Sequence, residues 1–145
     1  SPQATKYLKT IIDKIKLNNG GILIIDYAYL DKKMKNTLQA VSKHKYCDIL
    51  KGFRNSDLTY NLSFNLINII IKKFGPCSSL STTQKDFLTK LGILDRAEIL
   101  SKNIPFSEKA DIYFRIKRLI DTKQMGDLFK VMFITNLKNK FKLGF

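Results

Sequence analysis

The sequence predicts an α/β fold in which amphipathic helices alternate with short β-branched runs. Three observations carry that expectation. Across residues 4–18, Tyr7, Leu8, Ile11, Ile12 and Ile15 fall on one helical stripe, with Lys6, Lys9, Lys14 and Lys16 outside it. Asn18-Asn19-Gly20-Gly21 ends that helix, because Asn and Gly tolerate the left-handed conformation of a helix cap. Ile22-Leu23-Ile24-Ile25 follows as a continuous apolar run, the pattern of a strand buried on both faces of a parallel sheet. The run finishes in Asp26-Tyr27-Ala28-Tyr29, and in open α/β sheets ligands bind just beyond the carboxyl end of such a strand. Helix, tight turn and strand make half of a βαβ unit, without the strand that should precede the helix.

Residues 30–60 are polar and aperiodic, which predicts an irregular segment that is functional or inserted. Ser63 is placed to cap a helix over Phe64–Phe74, closed by Gly75-Pro76. A short strand is expected at 77–81. A helix starting at Thr82 or Thr83 then carries Phe87, Leu88 and Leu91 and ends at Gly92. Two more helices are expected at 94–102 and 107–122, the second with Ile112, Ile116, Leu119 and Ile120 on one face. Residues 128–134 read as a strand, followed by a Lys-rich tail. No internal repeat is visible.

The chain has 145 residues, 44% hydrophobic and 26% charged, which suits one globular core and excludes a disordered or collagen-like chain. The longest apolar run, around residues 66–71, is stopped by Lys72 and Lys73, far short of the roughly 18 residues of a membrane span. Charges scattered through the first residues predict no signal peptide, and the missing initiator Met fits a processed chain or a fragment. Cys47 and Cys77 are too few for a disulfide framework and too far apart for a metal knuckle, so no metal site is expected and a reducing compartment is. The net charge is +14, but 22 of the 26 basic residues are lysines spread along the whole chain. Lys, Ile and Asn together are what an AT-rich genome over-supplies. A nucleic-acid module would concentrate Arg and aromatics on one face, so nucleic acid is not the expected partner.

Five blocks then occur in a telling order: GGILIIDYAY, TLQAVSKHKYCDIL, DLTYNLSF, TTQKDFLTKLGI and MGDLFKVMFIT. Over residues 17–135 the chain resembles the carboxyl-terminal half of the MidA/NDUFAF-seven type of class I S-adenosylmethionine-dependent methyltransferases. The resemblance implies the carboxyl-terminal part of a Rossmann-like seven-stranded methyltransferase sheet with an added helical segment. Residues 1–145 are then a single fragment whose cofactor-binding half is absent. It further implies methyl transfer from S-adenosylmethionine to a protein arginine by the full-length form, and for eukaryotic members a role in assembling respiratory complex I. The expected compartment is the cytoplasm for a bacterial chain and the mitochondrial matrix for a eukaryotic one. This chain departs from the family pattern in two places: Ala28 stands where Asp-Tyr-Gly is usual, and Leu62-Ser63-Phe64 replaces Val-Asp-Phe.

A cofactor of this class needs a glycine-rich loop after a first strand and an acidic residue ending a second, and neither is found here. No cofactor-binding residue is therefore expected, and the chain alone is expected to be inactive. The expected partners are an amino-terminal half of the same methyltransferase, or a second copy through the strand edge, together with a protein substrate. Asp26 and Asp57 are the candidate catalytic carboxylates, since a carboxylate pairs with a guanidinium and draws off charge developing on a nitrogen nucleophile. Asp26 has capping a following turn as its alternative role. Tyr27, His44 and Thr59 are the candidate substrate contacts. His44 has a loop-anchor role as its alternative, and Asp57 and Thr59 a turn-stabilising one. Gln84 and Phe87 read as a cap and a core anchor rather than as contacts.

Overall fold

The computed structural model describes residues 1–51 and 55–145. Helix α1 (Pro2–Asn18) ends at Asn19, which takes the left-handed conformation (φ 51°). Strand β1 (Gly21–Tyr29) follows. Next come three short strands, β2 (Gln39–Ser42), β3 (Lys45–Cys47) and β4 (Asp57–Thr59), and then β5 (Leu62–Ser63). Helix α2 (Phe64–Phe74) leads to β6 (Cys77–Thr83), and α3 (Gln84–Lys90), α4 (Ile93–Leu100), α5 (Phe106–Ile120) and α6 (Met125–Leu128) precede the last strand, β7 (Phe129–Asn136).

The main sheet has the order β5-β1-β7-β6. Strand β7 lies antiparallel between β1 and β6 and pairs with β1 from Gly21↔Thr135 to Tyr27↔Phe129. Strand β5 runs parallel to β1 but meets it only at Ala28 and Tyr29. This is a mixed sheet, and it corrects the expectation of a strand buried on both faces. Residues paired across a ladder point to the same side. Ile22, Ile24, Met132 and Ile134 therefore share one face, where Ile12, Ile15, Phe64 and Ile71 of α1 and α2 complete the core. Leu23 and Ile25 point to the other face and stay 46% and 48% exposed. An all-apolar Ile/Leu run predicts two-sided burial, but within this chain helices cover one of its sides.

The rest of that second face is closed by the carboxyl-terminal tail. Phe133 packs against Phe141 and Phe145, and Phe145 against Phe87, with ring centroids 5.3–6.2 Å apart. Gly21 admits the Phe133 ring, since a Cβ there would lie 2.7 Å from it.

Residues 30–60 also correct the sequence reading. They contain a second sheet, β3-β2-β4, wholly antiparallel. Its strands are three or four residues long, too short for a period to register. Its hairpin turns at Lys43 and His44, both at positive φ, with no Asn-Gly or Asp-Gly pair to announce it. The caps behave as expected: the Ser63 hydroxyl accepts the Leu66 N–H at 3.2 Å, and that of Thr83 accepts the Asp86 N–H at 3.1 Å. Lys16 donates to the Phe74 carbonyl, tying the ends of α1 and α2 together.

Candidate functional site

Strands β1 and β6 run parallel, so their carboxyl ends and the start of β7 form one rim of the sheet. Asp26 stands exposed on that rim opposite Lys130. Among the described residues its carboxylate accepts one hydrogen bond, from the Tyr27 N–H at 2.8 Å. The Lys130 ammonium instead pairs with Asp127 at 2.6 Å. Tyr27 is half-buried, its ring tilted 33° against Phe129 with centroids 4.3 Å apart. Ala28, in place of the family's glycine, is buried in the core cluster beside Phe64. Ser63, in place of the family's carboxylate, supplies the oxygen that caps α2.

Two cavities flank the end of β1. One, about 370 Å³, lies directly past it and is lined by Ala28, Asn61, Thr122, Lys123, Gln124, Asp127 and Leu128. The other is a largely apolar cleft of about 810 Å³ between α1, α2 and residues 34–38, walled by Leu8, Ile24, Tyr29, Leu66, Ile67 and Ile70. Tyr29 is only 7% exposed, and its hydroxyl accepts the Lys35 N–H at 3.3 Å. The Lys35 ammonium lies 5.6 Å from the centre of the same ring and pairs with Asp31. The Asn61 N–H donates to the Thr37 hydroxyl at 2.9 Å, and Asn61 lines both cavities. Tyr29, Lys35, Thr37 and Asn61 are the organising residues that sequence reasoning missed. The available signal was Tyr29, three residues after Asp26 at the tip of β1.

The other candidates lie on the small sheet. Asp57 is exposed and pairs in register with Val41, while His44 is exposed at the hairpin tip, φ 62°. The Thr59 hydroxyl accepts the Gln39 side-chain amide at 3.0 Å, a bond across the β2–β4 ladder. Asp26, Asp57 and His44 line neither cavity, so the structure does not gather the two carboxylates into one pocket. Gln84 is buried and donates to the Leu119 carbonyl, and Phe87 is buried against Phe145; both are structural. Cys77 sits away from the rim, at the start of β6. Burial pushes its thiol pKa up, against the opposing charge of Lys16.

Among the described residues no group of three His, Cys, Asp or Glu side chains could hold a metal ion, and no helix is long and apolar enough to cross a membrane. Among the described residues no glycine-rich loop follows a strand to cradle the nucleotide end of S-adenosylmethionine. Gly20-Gly21 is the chain's one glycine pair, and it precedes β1, at the end of the sheet away from the rim. Gly21 there receives the Phe133 ring.

Several curated proteins resemble this chain. The mitochondrial protein arginine methyltransferase NDUFAF7 of Xenopus tropicalis is 27% identical over 130 residues, 89% of this chain and 30% of that protein. That of Xenopus laevis is 26% identical over 145 residues, 97% of this chain and 33% of that protein. The chain thus spans about a third of the length of these relatives. A Burkholderia thailandensis crystal structure superposes with a TM-score of 0.79 at 23% identity, covering 97% of this chain and 38% of that one. A second from the same organism, bound to S-adenosyl-homocysteine, gives 0.77 at 22%, covering 98% of this chain and 38% of that one. They share the α/β fold. Residues 1–82, more than half of the chain, match the family described as "Putative S-adenosyl-L-methionine-dependent methyltransferase", and the chain belongs to that methyltransferase family.

Proposed function

We propose that this chain is the acceptor-side, carboxyl-terminal part of a methyltransferase that modifies protein arginine side chains, inactive until an amino-terminal part supplies the cofactor site. The observation that carries this reading is the flank of β1 that is left free among the described residues. From Gly21 to Tyr27 the strand is paired on the β7 side, and β5 reaches only Ala28 and Tyr29 on the other. The amino-terminal part adds its strands there, completing a seven-stranded Rossmann-like sheet, and its side chains fill the 810 Å³ cleft. The names of the relatives support arginine as the acceptor.

In this reading the chain's residues position the acceptor. Exposed on the rim, Asp26 takes two guanidinium N–H bonds and offsets the positive charge that grows as the nitrogen is alkylated. Tyr27, held by Phe129, and Asn61 flank the approach, while Asp57, His44 and Thr59 contact the polypeptide around the arginine. Such positioning is the main protein contribution to a direct group transfer. The compartment follows the source: cytoplasm in a bacterium, mitochondrial matrix in a eukaryote. A second reading, a non-catalytic piece that only completes a partner, rests on the same free flank.

Co-expression with the amino-terminal part of a relative tests the proposal, with a labelled methyl donor and mass spectrometry of the products. Methylarginine should form only when both parts are present. Transfer by the chain alone, or to another residue type, contradicts the proposal; a stable but inert complex favours the second reading.

A further inference from the structure

The 370 Å³ cavity past β1 is walled by two segments far apart in sequence, the residue before β5 and the turn between α5 and α6. Both are held through their main chains. The Asn61 N–H donates to the Thr37 hydroxyl at 2.9 Å. In the α5–α6 turn the Asp121 carbonyl accepts the N–H of Gln124 at 3.0 Å and that of Gly126 at 2.9 Å. The Asp121 carboxylate accepts the Lys123 N–H at 2.8 Å. Gly126 permits this close turn, because a Cβ there would lie 2.4 Å from the Ile120 carbonyl oxygen.

The charges at the cavity do not call for a charged ligand. Asp127 is paired with Lys130, and Lys123 adds a cation, so the lining has no net negative charge to draw a second guanidinium. An acidic ligand would meet the Asp127 carboxylate. The lining groups that make no hydrogen bond among the described residues are neutral: the side-chain amides of Asn61 and Gln124 and the Thr122 hydroxyl. Asn61 is half-buried. A carboxamide carries donor and acceptor side by side, which is the complement of a peptide group. Ala28 also lines the cavity, about 7 Å along β1 from Asp26 and so within reach of an arginine side chain.

We propose that the side-chain amides of Asn61 and Gln124 clasp the peptide groups next to the acceptor arginine, so that the site takes a polypeptide and not a free guanidino compound. This rests on the reading of the chain as the acceptor side of an arginine methyltransferase, and adds main-chain recognition to it. Asp26 meets the side chain, and the cavity meets the backbone that carries it.

The test uses the enzyme reconstituted with the amino-terminal part of a relative, and arginine peptides with an ester in place of the peptide bond on either side of the arginine. Each ester removes one N–H donor. For at least one of them KM should rise roughly fivefold, as expected for one neutral hydrogen bond, with kcat little changed. The variant that lacks the matching acceptor, Asn61→Ala or Gln124→Ala, should bind the all-amide peptide more weakly by a similar factor and should not distinguish it from that ester. Agmatine, which has the guanidinium and no peptide group, should inhibit the wild type and both variants equally. Esters that leave KM unchanged, or that weaken the variants as much as the wild type, overturn the proposal. So does a variant that loses affinity for agmatine along with the peptide. A wild-type enzyme that leaves the arginine of the all-amide peptide unmodified contradicts the acceptor-side reading itself, whereas arginine methylation without the ester effect overturns main-chain recognition alone.

Discussion

Asp26 and Lys130 stand opposite each other across the β1–β7 ladder, yet Lys130 pairs with Asp127 and leaves the Asp26 carboxylate with the neighbouring Tyr27 N–H. An exposed carboxylate with one local bond adds little to the fold and is available to a ligand. Asp26→Asn should change unfolding free energy by no more than about 0.5 kcal/mol. In the enzyme reconstituted with its amino-terminal part, it should lower methyl transfer by roughly a hundredfold, the order expected for losing one charge-stabilising group. Cofactor affinity should stay unchanged. Turnover measured beside cofactor binding checks this, and equal loss of both contradicts the acceptor-side role.

Tyr29 holds residues 30–38 through its hydroxyl, which accepts the Lys35 N–H in a half-buried setting. Tyr29→Phe keeps the ring under the Lys35 ammonium but removes that acceptor. The expected cost is about 0.5–1.5 kcal/mol, with faster hydrogen exchange at the Lys35 amide and little change at Ile134. Exchange measured by NMR on both proteins decides it.

Helix α2 offers a contrast within one element. Phe64 is fully buried under the sheet, and Ile69 is 58% exposed. Phe64→Ala should cost roughly 3–5 kcal/mol, enough to abolish a cooperative transition in a marginal domain. Ile69→Ala should stay within about 0.5 kcal/mol. Urea denaturation of the two variants is the check, and comparable losses would mean that α2 packs by another face.

Much of the helical layer was legible in the sequence where a helix shows both its stripe and its stop, as α1 and α3 do, whereas the four-residue α6 has neither and was not foreseen. Asn19 is left-handed where Asn18-Asn19-Gly20-Gly21 predicts a cap, and Ser63 and Thr83 cap their helices as their positions suggest. What failed was whatever depends on partners distant in sequence. The antiparallel fit of β7 beside β1 joins residues more than a hundred positions apart, and an all-apolar run does not say which of its faces a chain will cover. The small sheet escaped because its strands, three or four residues long, are too short for an alternation to register. At the site, the rim position of Asp26 and Tyr27 was legible from the strand end. The Tyr29–Lys35 and Asn61–Thr37 bonds were not, since the first closes a loop and the second pairs residues 24 apart in sequence.

The free flank of β1 has its own signature. Successive amides of a strand point to opposite edges, so every second amide among residues 21–27 should be protected by β7 and the others should exchange quickly. Without the amino-terminal part that flank should also pair with another copy, more so as salt screens the +14 charge. Leu23→Lys should suppress this association without loss of folding, because Leu23 is 46% exposed. Light scattering across a salt series, run with the exchange experiment, tests both statements. A salt-insensitive monomer with uniform protection along β1 refutes them.

The division of labour between this chain and an amino-terminal part is tested most directly by titrating S-adenosyl-homocysteine into the purified chain in a calorimeter, alone and with the amino-terminal part of a relative. The account predicts no binding heat from the chain alone and saturable, stoichiometric binding once both parts are present. Micromolar binding to the 145-residue chain by itself would contradict it.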